Sequence, residues 1–216
     1  MILVFGGIKG GGGKTTLSTN TCVIRALEAK KVLLVDADDQ GSASTWSEHR
    51  ESLGIETPWT TISLSGPSVR TQVLKMQNNY DDIIIDVGGR DTNSQRAALT
   101  IADALIVPFQ PKSFDVWTLG KISELLDEAL SINTKLISYG VINRGDPYGK
   151  DNEQAKEIIR KCGNICCLDD VVFNRKAFSN ASAEGRGVVE MIPKDLKANE
   201  EMTTLVRYIF DTKITV

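Results

Sequence analysis

The stretch Phe5-Gly6-Gly7-Ile8-Lys9-Gly10-Gly11-Gly12-Gly13-Lys14-Thr15-Thr16 constrains the fold more than any other part of the chain. The run before it, Ile2-Leu3-Val4-Phe5, is apolar and short, and reads as a buried strand. Residues 17–29 follow with helical spacing, Cys22, Val23, Ala26 and Leu27 recurring on one face. A strand, then consecutive glycines, then Lys-Thr opening a helix is an arrangement that wraps backbone around phosphate groups. Glycines carry no Cβ, so their N–H groups can converge on an anion at close range. The helix adds its unpaired N-terminal N–H groups and the positive end of its dipole. A flexible glycine linker is the competing reading, but linkers rarely join a buried strand to a helix or end in Gly-Lys-Thr-Thr. In this setting Lys14 would reach the terminal phosphates, and the Thr15 hydroxyl would take a Mg2+ ligand position. The general phosphate-loop pattern, G-x-x-x-x-G-K-[ST], asks for glycine where this chain has Ile8. A second lysine, Lys9, opens the loop.

Two further apolar runs end in aspartate. Val32-Leu33-Leu34-Val35 leads into Asp36-Ala37-Asp38-Asp39-Gln40-Gly41, and Ile83-Ile84-Ile85 leads into Asp86-Val87-Gly88-Gly89. Such uninterrupted apolar runs are typical of strands buried on both faces of a parallel sheet. Ligands of open α/β sheets gather at the C-terminal strand ends, which is where these carboxylates fall. Asp86 is then the candidate to hold a water ligand of the magnesium, or the Thr15 hydroxyl itself. Gly88-Gly89 lets the backbone turn close to the last phosphate.

Lys9-Gly10-Gly11-Gly12-Gly13-Lys14-Thr15-Thr16 resembles the deviant Walker A motif K-G-G-x-G-K-[ST]-T of the ParA/MinD ATPases. Ile8 agrees with ParA-type members, which often lack glycine there. The Asp36–Gly41 segment resembles their D-x-D-P-Q-G motif, with Asp39 in place of proline. The resemblance implies ATP and Mg2+ as cofactors, with Gly10, Gly11, Gly12, Gly13, Lys14, Thr15 and Thr16 binding the nucleotide. It makes Asp38 the residue that orients or activates the attacking water, and Asp36, with Thr15 and Asp86, part of the metal network. Lys9 would reach across to the partner's phosphates in an ATP-dependent homodimer, stabilising first the sandwich and then the transition state.

Composition sets limits on partners. The 25 Lys and Arg against 28 Asp and Glu leave a formal charge of −3, so any DNA contact must come from a local patch. No apolar run approaches the roughly 20 residues of a membrane span. With no secretory signal pattern, the cytoplasm is the expected location. The four cysteines, at 22, 162, 166 and 167, lack zinc-ligand spacing and read as buried reduced thiols.

Farther along, helices are expected over 43–53, 67–78, 91–101 and 116–130, and strands over 60–64, 104–108 and 136–143. Phe109-Gln110-Pro111-Lys112-Ser113-Phe114-Asp115 is similar to a P-x-x-P-S-x-x-D segment of partition ATPases; it either shapes the dimer face or caps the next helix. Asn143, at the end of its strand, either reads the adenine edge or belongs to a plain turn before Gly145-Asp146-Pro147. A helix over 152–162 should bury Ala155, Ile158, Ile159 and Cys162, and a last one over 195–210 should bury Leu196, Leu205, Val206, Ile209 and Phe210. Between them, Arg175-Lys176-Ala177-Phe178 and Gly185 through Glu190 resemble the family's R-x-A-F and G-x-x-V-x-E tail. Arg175, Lys176 and Arg186 are the candidates for a DNA-facing patch, against the plainer reading of solvated surface. Glu200 and Glu201 open the last helix and argue against a membrane-targeting helix of the MinD type.

The expected architecture is a single α/β P-loop NTPase domain over 1–216, a mostly parallel sheet with helices on both faces and no helix-turn-helix module before the loop. What the resemblance implies is a slow, partner-stimulated ATPase for DNA partition. Its ATP dimer would bind DNA nonspecifically, without a membrane, and a ParB-type centromere-binding protein would release it. Positioning of a protein cargo such as a carboxysome or chemoreceptor array, a MinD-like division regulator, and a metabolic enzyme of related fold are the alternatives.

Overall fold

The computed structural model describes residues 1–111, 119–148 and 150–211. Its strands are β1 (Ile2–Phe5), β2 (Val32–Ala37), β3 (Thr60–Ser63), β4 (Asp82–Val87), β5 (Ala104–Phe109), β6 (Ile137–Gly145) and β7 (Cys166–Phe173). They form one sheet in the order β3-β2-β4-β1-β5-β6-β7, every pairing parallel. The helices are α1 (Lys14–Leu27), α2 (Ser42–Ser52), α3 (Ser68–Met76), α4 (Asn93–Leu99), α5 (Leu119–Ile132), α6 (Asp151–Arg160), α7 (Lys176–Ala183) and α8 (Leu196–Asp211).

Alternation along each strand divides the core into two layers. Ile2 and Val4 of β1 join Leu33, Val35, Ile83 and Ile85 beneath α3, α4, α5 and α6. Leu3 and Phe5 turn the other way, with Leu34, Ile84 and Ile106, toward α1, α2, α7 and α8. Because helices cover both faces, the central strands are apolar at nearly every position, and that made them readable in the sequence. β1 lies between β4 and β5, so the chain leaves β1 toward one edge and later builds on its other side. A crevice opens at such a switch point, at the C-terminal strand ends.

Several expectations need correction. β7 was not anticipated: Cys-Cys-Leu-Asp-Asp-Val-Val-Phe mixes charge into an edge strand, where only Leu168 and Val172 are buried. Leu196 is 74% exposed, since the buried stripe of α8 runs through Ala198, Met202, Leu205, Val206 and Ile209, and Leu196 sits about 200° from Ala198 around the axis. Ile158 lies at the edge of the buried face of α6 and is 36% exposed. Of the four cysteines only Cys22 is buried; Cys166 is exposed and the other two are half-buried, all as free thiols. The Lys112, Ser113, Phe114 and Asp115 part of the partition-like segment lies outside the described residues.

The tail packs through one buried cation. Arg50 of α2 donates to both Glu190 carboxylate oxygens at 2.7 Å, to the Gly185 carbonyl at 3.0 Å and to the Glu56 carbonyl at 2.9 Å. Its guanidinium also lies 4.9 Å from the Trp59 ring, which stacks on Trp46. Gly185 and Glu190 of the tail motif therefore hold α2 against the segment after α7. Arg50→Ala should strand the Glu190 charge and destabilise the fold by about 3–5 kcal/mol, read as a lower urea midpoint at unchanged slope.

Candidate nucleotide site

The glycine loop runs from β1 to α1 and is tethered on several sides. The Gly7 N–H donates to Gln95 Oε1 of α4 at 2.9 Å. Gln110, just past β5, donates to the Gly11 carbonyl at 2.8 Å, and Asn143 of β6 donates to the Gly12 carbonyl at 2.6 Å. Gly13 has a φ of 90°, and a Cβ there would sit 2.2 Å from Asn143 Nδ2, so glycine is required. Gly89 meets the loop from β4: a Cβ on it would lie 2.5 Å from the Gly10 N and Cα. The strand-end turn and the phosphate loop thus touch backbone to backbone.

The charged residues predicted from the sequence converge here. β2 and β4 are in register with Asp36 opposite Asp86, both buried. Asp36 Oδ2 accepts from the Ser44 N–H of the first turn of α2 at 2.7 Å, and Oδ1 from the Asp38 N–H at 3.2 Å, so both oxygens are engaged locally. Asp86 Oδ2 accepts from the Thr15 hydroxyl at 2.6 Å, while Oδ1 is buried without a partner. Burial, and secondarily the Asp36 charge, raise the Asp86 pKa to about 7, against the Thr15 hydrogen bond and Lys14. Lys14 is buried too, and its pKa is lowered by desolvation in spite of Asp86 and Asp38. Its Nζ donates to the Lys9 carbonyl at 3.0 Å. The Lys9 side chain is exposed at the lip.

Asp38 is half-buried, accepts from the Gln40 N–H at 3.1 Å and stands beside Gly88, where a Cβ would be 3.1 Å from its Oδ1. With Gly10, Lys14, Thr15 and Thr16 it lines a cleft of about 730 Å³. The donor set fits a magnesium nucleotide. A hydroxyl and a carboxylate with one oxygen unspent suit a hard cation, and the loop amides with Lys14 suit phosphate. Asn143 is 4% exposed, and its amide nitrogen is committed to Gly12. Of the three candidate basic residues, Arg175 is paired, its Nε and Nη2 both donating to Glu201 Oε1 at 2.7 and 2.6 Å. Lys176 stays exposed, and Arg186 lies 3.9 Å from Glu184. Sequence reasoning assigned no role to Gln95, Gln110, Arg90 or Arg144, all of which border the loop or its cleft. Gln110 stands inside the partition-like segment and Arg144 directly after Asn143, but nothing in the spacing marks Gln95.

These features are those of a nucleotide-binding α/β protein, and the chain belongs to the CobQ/CobB/MinD/ParA nucleotide binding domain family, whose model matches residues 3–189. It is 27% identical to the Maintenance of carboxysome distribution protein A of Halothiobacillus neapolitanus, over 96% of this chain and 95% of that one. It is 30% identical to the protein of the same name from Gloeobacter kilaueensis, over 89% of this chain and 85% of that one. Among solved structures, a Cyanothece McdA–ATP complex superposes with a TM-score of 0.75 at 18% identity, covering 95% of this chain and 94% of that one.

An acid whose folded pKa is raised holds its proton more tightly in the folded state. Asp86 should therefore lower the stability of the nucleotide-free protein progressively as pH rises from about 4 to about 7. Asp86→Asn removes that loss. It is expected to raise the nucleotide-free thermal midpoint at pH 7.5 and to gain less as pH approaches 4, read from melting curves across that range.

Proposed function

We propose that this chain is an ATP-driven positioning ATPase that distributes a large protein cargo, of the carboxysome kind, along DNA. The cargo class is supported by the two carboxysome-distribution relatives, which align over nearly the full length. The nucleotide chemistry rests on one observation above others, the hydrogen bond from Thr15 to the buried Asp86, whose second carboxylate oxygen is unspent beside Lys14.

In this reading Gly10 to Gly13 present backbone N–H groups to the phosphates of ATP, together with Thr16 and the Lys14 ammonium, which would leave the Lys9 carbonyl. Thr15 and Asp86 would hold Mg2+, which would supply charge neutralisation on the phosphate oxygens, with Asp36 fixing the neighbouring strand end and the start of α2. Asp38 orients the attacking water and takes its proton, helped by its contact with Gly88. Asn143 keeps Gly12 in place and lies on the side where the base would enter. Lys9 extends from the lip to the phosphates of a second subunit, so ATP closes a homodimer. That dimer attaches to DNA without sequence preference, and an adaptor protein on the cargo accelerates an otherwise slow hydrolysis and releases it.

Partition of a plasmid or chromosome by a ParB-type protein is the second reading. It is favoured by the 29% identity to the sporulation initiation inhibitor protein Soj of Bacillus subtilis over 86% of this chain, together with the tail motifs. Among the described residues no helix is long and apolar enough to cross a membrane.

Retention on nonspecific DNA should be high with ATP, low with ADP or no nucleotide, and lost in Lys14→Ala. Equal retention in all three states would sink the switch. Lys9→Ala should bind ATP yet stay monomeric by light scattering, and a stable ATP dimer of this variant would remove the cross-subunit role. Deleting the gene should cluster the protein cargo while plasmid retention is unchanged. Plasmid loss with normal cargo spacing would select the second reading.

A further inference from the structure

Arg144 is held in a way that the fold alone does not explain. The pairing of β6 with β7 slips between Asn143 and Gly145, where Asn143 faces Val172 and Gly145 faces Phe173, leaving Arg144 as an extra residue. Bulges of this kind re-aim a side chain. Arg144 also has a φ of 55°, in the left-handed region that a residue carrying a Cβ disfavours. The other described non-glycine with positive φ, Ala29, closes α1, where a left-handed residue is ordinary. At Arg144 no helix end calls for it.

The consequence is directional. Successive side chains of a regular strand point to opposite faces, yet Asn143 and Arg144 both address the glycine loop. A Cβ on Gly13 would lie 2.2 Å from Asn143 Nδ2 and 4.0 Å from Arg144 Nε. Arg144 lines the loop's cleft and also a neighbouring cavity of about 700 Å³ bordered by Thr16, Phe173, Lys176 and Phe178. Among the described residues only Thr16 shares that double position. Arg25, Arg50, Arg96, Arg160 and Arg175 are each tied to a carboxylate. Among the described residues, no hydrogen bond or ion pair engages the Arg144 guanidinium. A strained, bulged residue thus holds an uncommitted cation at the junction between the phosphate loop and the second cavity.

We propose that Arg144 is a positioning residue for the nucleotide, its guanidinium clamping the phosphate nearest the nucleoside as the chain of phosphates leaves the loop. The inference rests on the nucleotide-site reading above. A planar guanidinium can give two charge-assisted hydrogen bonds to one phosphate. The backbone strain is then a local loss of stability retained for binding.

The test measures affinity for ADP and for inorganic tripolyphosphate, each with Mg2+, alongside the thermal midpoint without ligand. Arg144→Gly, free of the left-handed penalty, should melt higher than wild type yet bind both probes about tenfold more weakly. Arg144→Lys, which keeps the charge, should stay within about threefold of wild type. Arg144→Asn, tolerated at positive φ, should match the glycine variant in affinity and guards against glycine loosening the bulge. Unchanged affinity in the glycine and asparagine variants overturns the proposal. So does a loss confined to ADP, which would place the side chain on the nucleoside, and so does a lysine variant as weak as glycine. If the wild-type chain binds neither probe, the nucleotide site itself fails and this inference falls with it.

Discussion

Two carboxylates lie side by side inside the sheet, and the site is arranged around the problem they create. Asp36 and Asp86 occupy opposed positions on neighbouring strands, each almost wholly removed from water. Two buried like charges repel strongly and lose their hydration, so each must be compensated or neutralised. The fold treats them differently. Asp36 receives N–H groups from Asp38 and from the first turn of α2, which hold its charge in place and join β2 to that helix. Asp86 receives one hydroxyl, from Thr15, and keeps one oxygen unpaired. Its raised pKa and the lowered pKa of Lys14 have the same origin, a desolvated pocket whose charges do not yet balance. A cation on one side and an anion on the other would complete both. The strand order β2-β4-β1 is what brings Asp36, Asp86 and the glycine loop to one crevice.

A loop almost without side chains has large conformational freedom, and glycine-rich segments lose the most entropy on ordering. Here the order is supplied from outside. Gln110 holds the Gly11 carbonyl and Asn143 the Gly12 carbonyl, from the ends of two different strands. In a trans peptide the carbonyl and the following N–H point in opposite directions. Drawing these two carbonyls toward their tethers therefore turns the N–H groups of Gly12 and Gly13 the other way, where an anion can be met. Amides oriented before binding need less reorganisation during it. The contact of Gly89 with Gly10 adds a tie from the turn after β4, so the last-phosphate side of the cleft and the loop are coupled sterically.

Much of this could be read from the chain. Strands buried on both faces announce themselves as apolar runs, and the five interior ones all end in the polar or glycine residues that build the site. Edge strand β7 could not be read, because one-sided burial with Asp169 and Asp170 resembles a loop. Helix faces were mostly right and failed at Ile158, on the margin of its buried face, and at Leu196, which opens its helix on the side away from the core. The motif residues were legible by type, but their partners were not. Nothing in the sequence says that Asn143 spends its amide on Gly12, or that Arg175 is neutralised by Glu201, since both depend on contacts between segments far apart in the chain.

Ile8 shows how a departure from the general phosphate-loop pattern can be part of the design. Glycine at that place would leave the start of the loop with nothing to pack. Ile8 instead is half-buried against the core layer beneath α5, beside Val107, Phe109 and Ile122. An apolar anchor one residue before Lys9 fixes where the Lys9 backbone sits, and its carbonyl is then in reach of Lys14. In the proposed dimer, where Lys9 would meet the phosphates of a second subunit, securing the backbone from which it departs would reduce the rotamer entropy lost on placing it.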